Sequence, residues 1–319
     1  MMIDAGHQWA TATAPATVSN VAVGFDILGF SLGQPVDRVT VRRSADKGVR
    51  LVDTGGVGDL PGEVEENTAT AGLVEMVADL KLDFGLEVSV EKGVPMRSGL
   101  GGSAASAVAG IVAASAVLDR PLSLPQRFHY ALLGEQRVCG RRRADNIAPA
   151  MLGGLTLIRS IDPLDVVRLP VPHQLEAVVV EPEVQVEVRK ARALLSDTVD
   201  REDFVVQTAN LAGFVAGCFE HDRELIGRSL KDLIFEPQRA HLIPGFAQVK
   251  EAALAQGALG SSIAGAGPSV FALHDSHVDG QELCQTMIEA FREAGVEARG
   301  YTSPINSTGA YIVERGPRV

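Results

Sequence analysis

The run Val94-Pro95-Met96-Arg97-Ser98-Gly99-Leu100-Gly101-Gly102-Ser103-Ala104-Ala105-Ser106 sets a glycine- and serine-rich turn directly before a stretch of small residues. Glycines at 99, 101 and 102 let the backbone turn sharply, so that several amides can point into one concavity. A helix starting there adds about half a positive charge at its N-terminus. Amides and dipole together make an anion site, and phosphate is the usual guest. An ordinary loop before a buried helix would use the same residues, so the surroundings have to decide.

Two familiar phosphate patterns fail that test. The loop of common nucleotide hydrolases needs a lysine after its last glycine, and no lysine in this chain follows a glycine. A dinucleotide fingerprint is formally met by Gly99-x-Gly101-x-x-Ala104, with Asp119 downstream. That fold requires a strand ending in the acidic residue, whereas Leu118-Asp119-Arg120-Pro121-Leu122-Ser123-Leu124-Pro125 reads as a turn.

The elements that must position this loop are legible in part. Trp9–Ala14 is β-capable and is expected to end at Pro15; Phe30–Leu32 and Val36–Val41 resume extended structure. Apolar positions 71, 74, 77, 78 and 82 share a helical face within 67–82. Leu86–Glu91 alternates as a half-buried strand that feeds the loop, and the small-residue helix follows over 104–118. A further helix spans 125–138. Pro163, Pro170 and Pro172 punctuate a polar stretch, and the division between two domains is placed there, as 1–165 and 166–319. The second part opens with a strand at 176–180. Helices follow near 188–195, 203–221, 225–230 and 280–294, and a last strand lies at 310–313.

Composition narrows the classes. A net charge of −11 argues against nucleic acid or an anionic membrane as a partner. The Arg141-Arg142-Arg143 cluster is too small for a polyanion groove and reads as a solvated loop. The 104–118 helix is short and mostly alanine, which excludes a membrane span. Nothing at the N-terminus resembles a signal peptide, so Asn306-Ser307-Thr308 is not expected to be glycosylated. Cys139, Cys218 and Cys284 are odd in number and widely spaced, which suits thiols in a reducing cytoplasm. His274-x-x-His277 sits in a polar loop and reads as loop rather than as a metal pair.

Three blocks occur in order: Ala14-Pro15-Ala16 through Gly24-Phe25-Asp26-Ile27-Leu28-Gly29, the glycine loop Pro95–Ala105, and Gly265-Ala266-Gly267-Pro268-Ser269. Together they resemble the superfamily of galactokinase, homoserine kinase, mevalonate kinase and phosphomevalonate kinase (GHMP kinases), over essentially the whole chain. Asn20 ahead of Gly-Phe-Asp, the block Ala144-Asp145-Asn146-Ile147-Ala148-Pro149-Ala150, and two later arginines bring it nearest to the homoserine kinase branch. The resemblance implies an α+β fold of two domains. The first would resemble domain 2 of ribosomal protein S5, the second would be ferredoxin-like, and the active site would lie between them.

It also implies ATP and Mg²⁺ as cofactors and L-homoserine as the small-molecule substrate. ATP would rest on Pro95, Arg97, Ser98, Gly99, Leu100, Gly101, Gly102, Ser103 and Ala104, and the metal on Ser103 and Glu135. Arg192 and Arg239 match the carboxylate-binding arginines, Asp26 and Asp145 would take the ammonium group, and Asn20 and Asn146 would orient the hydroxyl beside Gly265. Of these, Asn146, Asp26 and Arg192 are the expected catalytic set. Asp26 matches the proton-accepting aspartate of mevalonate kinase, but an aspartate neutralising an ammonium cannot also act as a free base. The favoured reading therefore has no dedicated base. Homodimers are common in the superfamily.

The chain departs from the pattern at Arg143, where histidine is usual, at Val188 in place of threonine, at Gly102 in place of the loop's first serine, and at Ala264 and Ala266. The alternatives are another kinase of the superfamily with a carboxylate-bearing acceptor, and a catalytically silent ligand-binding member.

Overall fold

The computed structural model describes residues 3–140, 142–305 and 307–319. Arg141 of the arginine cluster, Asn306 of the Asn-Ser-Thr triplet and the Val188 side chain lie outside the described residues.

Strands β1 (Trp9–Ser19), β2 (Leu28–Ser44), β3 (Val49–Gly56), β4 (Gly85–Lys92), β5 (Leu155–Ile161) and β6 (Leu164–Arg168) belong to a first sheet. A second sheet is built from β7 (Glu176–Pro182), β8 (Gly260–Ile263), β9 (Val270–His274) and β10 (Ala298–Pro304), while β11 (Tyr311–Arg315) returns to the first and pairs with β1. The first sheet runs β11-β1-β2-β4-β3, with β5 and β6 branching from β2. The expected division at residue 165 cuts through β6, which stays hydrogen-bonded to β5 up to Arg168. The two sheets part after that residue, and the end of the chain rejoins the first.

Strand β1 does not stop at Pro15. The register with β2 slips between Pro15 and Thr17, and such a bulge is where a ladder can spare the amide proton that proline lacks. Alternation then sends Ala10, Ala12, Ala14, Ala16 and Val18 into the core. It also places Thr17 and Ser19 on the other face, at the end of the strand nearest the glycine loop.

Helices α1 (Thr68–Leu80), α2 (Gly102–Val117) and α3 (Leu124–Cys139) pack together beside this sheet, followed by the short α4 (Ile147–Leu152). Helix α2 is buried over nearly its whole length. Its small residues are what permit this: a β-carbon on Gly110 would lie 2.4 Å from the Ala69 carbonyl of α1. α3 begins with a complete capping box, Ser123 with Gln126, and ends on left-handed Gly140.

In the second half, α5 (Val188–Ala193), α6 (Arg201–Glu220), α7 (Arg223–Ser229) and α8 (Glu236–Arg239) precede α9 (Phe246–Ala255) and α10 (Gly280–Glu293). The second sheet is antiparallel in the order β10-β7-β9-β8, with α9 and α10 packed on it, as expected for a ferredoxin-like layer. Its hydrophobic cluster around Val178, Val180, Leu283 and Phe291 is separate from the larger one under the first sheet. Edge strand β3 and strand β10 are mostly exposed or half-exposed, and that pattern leaves little apolar alternation to read from sequence. Among the described residues no helix is long and apolar enough to cross a membrane.

Candidate active site

The glycine loop is tied at both ends by a buried ion pair. Asp37 of β2 accepts from the backbone amides of Gly93 (3.0 Å) and Val94 (2.9 Å) and from the Ser106 hydroxyl (2.6 Å). Lys92, at the end of β4, pairs with the same carboxylate and donates to the Gly102 carbonyl at 2.6 Å. Burial pushes the Lys92 pKa down, and the charge of Asp37 opposes this. Neither residue carried a signal in the sequence reading, because they meet only through the strand pairing.

Between those anchors the loop is pinned on two sides. The Leu100 carbonyl accepts from the Thr17 amide (3.0 Å) and the Ser98 carbonyl from the Ser269 amide (3.1 Å). Gly99 and Gly101 both have positive φ, and a β-carbon on Gly99 would stand 2.6 Å from the carbonyls of Ala264 and Gly267. The loop and the Ala264–Ser269 turn are therefore in backbone contact. Gly101 caps α2 with no side-chain hydrogen bond, which leaves the first amides of a buried helix for an anion. Met96 and Arg97 form the exposed outer rim, where Arg97 reaches Gln185, while Pro95 before them is buried.

Behind the α2 N-terminus, the Ser103 hydroxyl faces Glu135 of α3 and works to lower its pKa. Burial raises the Glu135 pKa, opposed by Ser103, Cys139, Lys92 and Arg143. Glu135 Oε1 is shut off from solvent and has no hydrogen-bond partner. An orphaned carboxylate oxygen beside a hydroxyl, next to an anion cradle, is the donor chemistry that suits Mg²⁺, which takes few protein ligands. The residues fit the metal. Among the described residues no group of three or more His, Cys, Asp or Glu could hold one by itself.

The opposite wall comes from the turn between β1 and β2. Asn20, Val21, Ala22 and Asp26 all have positive φ, a run of left-handed backbone that only surrounding contacts can hold. Asn20 supplies two of those contacts: its Nδ2 donates to the Gly265 carbonyl (2.8 Å) and its Oδ1 accepts from the Asp26 amide (3.0 Å). Asp26 is gripped through both carboxylate oxygens by Arg192 of α5, and Arg143 Nη1 lies 3.2 Å from its Oδ1. Arg239 Nη1 donates to the same Gly265 carbonyl at 3.1 Å. Burial pushes its pKa down, opposed by Asp232. Phe25 lies under both arginines, with its ring 5.1 Å from the Arg192 guanidinium and 5.4 Å from that of Arg239, and stacks on Phe235 at 3.7 Å. In sequence Phe25 is only one letter of a motif; its place beneath both guanidinium groups comes from the fold.

Asn146 stands between the two walls, its Oδ1 accepting from Thr17 Oγ1 (2.7 Å) and its Nδ2 donating to Ser19 Oγ (3.2 Å). Strand alternation supplies both holders. Asp145 is only 3% exposed and faces Ser19. Burial and the nearby charge of Asp26 raise its pKa to about 6. The structure thus brings Asn20, Asp26, Asp145, Asn146, Arg192, Arg239 and Gly265 together beside the loop, with Ser103 and Glu135 at its far end.

An anion cradle with a metal-fitting pair, facing a pocket that carries both signs of charge, defines an ATP-dependent small-molecule kinase. Comparison with known proteins narrows the class. Residues 67–154 match the GHMP kinases N terminal domain and residues 214–293 the GHMP kinases C terminal domain. The chain is 44% identical to a homoserine kinase of Xanthomonas campestris pv. campestris (strain B100), covering 98% of this chain and 99% of that one. A homoserine kinase of Xylella fastidiosa (strain M12) is also 44% identical, over 96% of this chain and 94% of the relative. The crystal structure of homoserine kinase from Cytophaga hutchinsonii superposes with a TM-score of 0.93 at 41% identity, covering 98% of this chain and all of that one. The mevalonate kinase of L. major, at 16% identity and a TM-score of 0.71, shares the fold. The chain belongs to the GHMP kinase family.

Proposed function

We propose that this protein transfers the γ-phosphoryl group of ATP to the side-chain hydroxyl of L-homoserine, giving O-phospho-L-homoserine on the way to threonine. The observation that carries the reading is the meeting of Arg192, Arg239 and Asp26 over Phe25, next to the phosphate loop. An amino acid presents a carboxylate and an ammonium a few bonds apart, and this wall presents their complements. The homoserine kinases that match nearly the full length add independent support.

Each residue has a task. Amides of Ser98–Ala104 bind the phosphates, with Arg97 at the rim and buried Pro95 leading into the loop. Arg239 and Arg192 grip the substrate carboxylate, and each charge-assisted hydrogen bond contributes about 1.5–3 kcal/mol. Asp26 takes the ammonium, with the charge of Asp145 behind it. Asn146, fixed by Thr17 and Ser19, aims the hydroxyl at the phosphorus, and Asn20 holds the Gly265 carbonyl in place. Ser103 and Glu135 would hold Mg²⁺, which when bound neutralises charge on the phosphate oxygens. Phosphoryl transfer depends on alignment and charge more than on covalent help from the protein. Asp26 is already claimed by arginine, so the hydroxyl proton passes to a phosphoryl oxygen or to solvent. The cytoplasm, where ATP and free amino acids meet, is the compartment this activity requires.

The test is ADP release with ATP and Mg²⁺ over a panel of L-homoserine, mevalonate, shikimate and sugars. Turnover on homoserine with none on the carboxylate-free sugars is expected. Turnover on a sugar would overturn the reading, and ATP binding without any turnover would point to a silent member.

A further inference from the structure

The arginine cluster reads as a solvated loop in sequence, yet Arg143 turns into the site. Its Nη1 lies 3.2 Å from Asp26 Oδ1, and its charge partly offsets the upward pKa shifts that burial imposes on Glu135 and Asp145. One guanidinium therefore contacts Asp26 of the β1–β2 turn and acts electrostatically on Glu135 of α3 and on Asp145 at the approach to α4. Glu135 belongs to the metal-fitting pair, while Asp26 and Asp145 belong to the acceptor wall. The boundary between those two groups is the path the phosphoryl group has to cross. Arg143 keeps 26% of its side-chain surface exposed, so a ligand can reach it.

We propose that Arg143 is a further catalytic residue, whose guanidinium contacts the phosphoryl group as it passes from ATP to the acceptor. This rests on the kinase reading above. In the step, the bond between the γ-phosphorus and the β,γ-bridging oxygen breaks, and its electron pair leaves on ADP. The acceptor oxygen forms the new bond to phosphorus and releases its proton to a phosphoryl oxygen or to solvent. Negative charge spreads over the equatorial oxygens during transfer, and a fixed cation aimed there lowers the barrier. Arginine suits this task because it stays charged at every working pH and presents a planar fork of donors. Asp26 holds Arg143 in place before substrate arrives. The substrate ammonium competes with Arg143 for Asp26, and this lets the guanidinium turn toward phosphate.

The test compares wild type with Arg143→Gln and Arg143→Lys, using matched thermal melts to establish that each folds. Arg143→Gln is expected to lower kcat by about 100-fold or more, the scale seen when a cation facing the transferring phosphate is lost. KM for ATP and for the acceptor should stay within about threefold, and lysine should restore part of the rate. A second arm measures ADP binding with and without aluminium fluoride, a mimic of the transferring group. Wild type should gain affinity from the fluoride complex; Arg143→Gln should lose that gain while binding ADP alone equally well. A kcat within threefold of wild type, a loss confined to acceptor KM, or an undiminished fluoride gain would each overturn the proposal. If wild type ignores homoserine but uses another hydroxyl acceptor, only the substrate reading falls, and the variant ratio is measured with that acceptor. If wild type turns over nothing, the fluoride arm decides.

Discussion

Gly101 of the phosphate loop lies directly against the Asn146 side chain: a β-carbon at residue 101 would stand 2.7 Å from Asn146 Oδ1 and 2.0 Å from Thr17 Oγ1. The glycine loop and the Asn146 amide, proposed to orient the acceptor hydroxyl, thus share one surface, and a shift of either displaces the other. Gly101 also has φ +64°, where a non-glycine residue costs about 1–3 kcal/mol when the surroundings impose it. Gly101→Ala is therefore expected to destabilise the fold by about that amount in urea titrations. It should also lower kcat more than tenfold, because displacing Asn146 by about 1 Å is enough to spoil alignment.

Lys92 and Asp37 make the loop's anchor in a nearly solvent-free setting, with side chains 3% and 0% exposed. Removing one member leaves an uncompensated buried charge, which costs about 3–5 kcal/mol. Lys92→Met should lower stability on that scale and raise KM for ATP, since the Gly102 carbonyl and Ser106 lose their holder. The double change Lys92→Met with Asp37→Leu should recover part of the stability but not the ATP affinity. Denaturation midpoints and ATP titrations read the two effects separately.

Asp145 gives the site a pH dependence whose sign can be worked out. Its folded pKa of about 6 lies above the ordinary aspartate value of 3.8, so folding takes up a proton between these values. The contribution to stability is fully present below about pH 4 and is lost as pH rises through about 6. The span of roughly two units corresponds to about 3 kcal/mol as an upper bound. Asp145→Asn should therefore melt higher than wild type at pH 8, and the difference should vanish near pH 4. Homoserine binding should strengthen from pH 5 to pH 7 in wild type, because the ammonium is attracted only to the ionised carboxylate. Calorimetric titrations in buffers of different ionisation enthalpy would reveal the linked proton release.

The phosphate loop was legible because its chemistry is local: glycines, a serine and a run of small helical residues lie within one stretch. Arg192 and Arg239 were legible only through motif resemblance, since nothing about an isolated arginine distinguishes a ligand from a surface charge. The rest depended on contacts between distant segments. Thr17 and Ser19 become the holders of Asn146 because β1 continues through Pro15 and alternates, and proline had suggested that the strand would end there. Lys92 finds Asp37 only through the β2–β4 register, which sets Arg38 opposite Glu91. Arg143 stood out in sequence as a fixed charge where the family usually has histidine, but its contact with Asp26 depends on the path of the α3–α4 connection.

Arg239 donates to the Gly265 carbonyl, and Asn20 donates to the same oxygen, so one acceptor fixes both Arg239, proposed to bind the substrate carboxylate, and the turn that carries Asp26. Lysine at 239 would keep the charge but could not hold this carbonyl and a carboxylate with one planar fork, nor lie flat against Phe25. Loss of one charge-assisted bond, at about 1.5–3 kcal/mol, predicts a rise in homoserine KM of roughly 10- to 100-fold for Arg239→Lys. ATP affinity should hardly change, because the loop is anchored by Asp37 and Lys92 rather than by Arg239. An amino alcohol lacking the carboxylate should be a poor acceptor for wild type and no worse for the variant. Equal losses on both acceptors in steady-state assays would mean that Arg239 serves the turn at Gly265 rather than the substrate carboxylate.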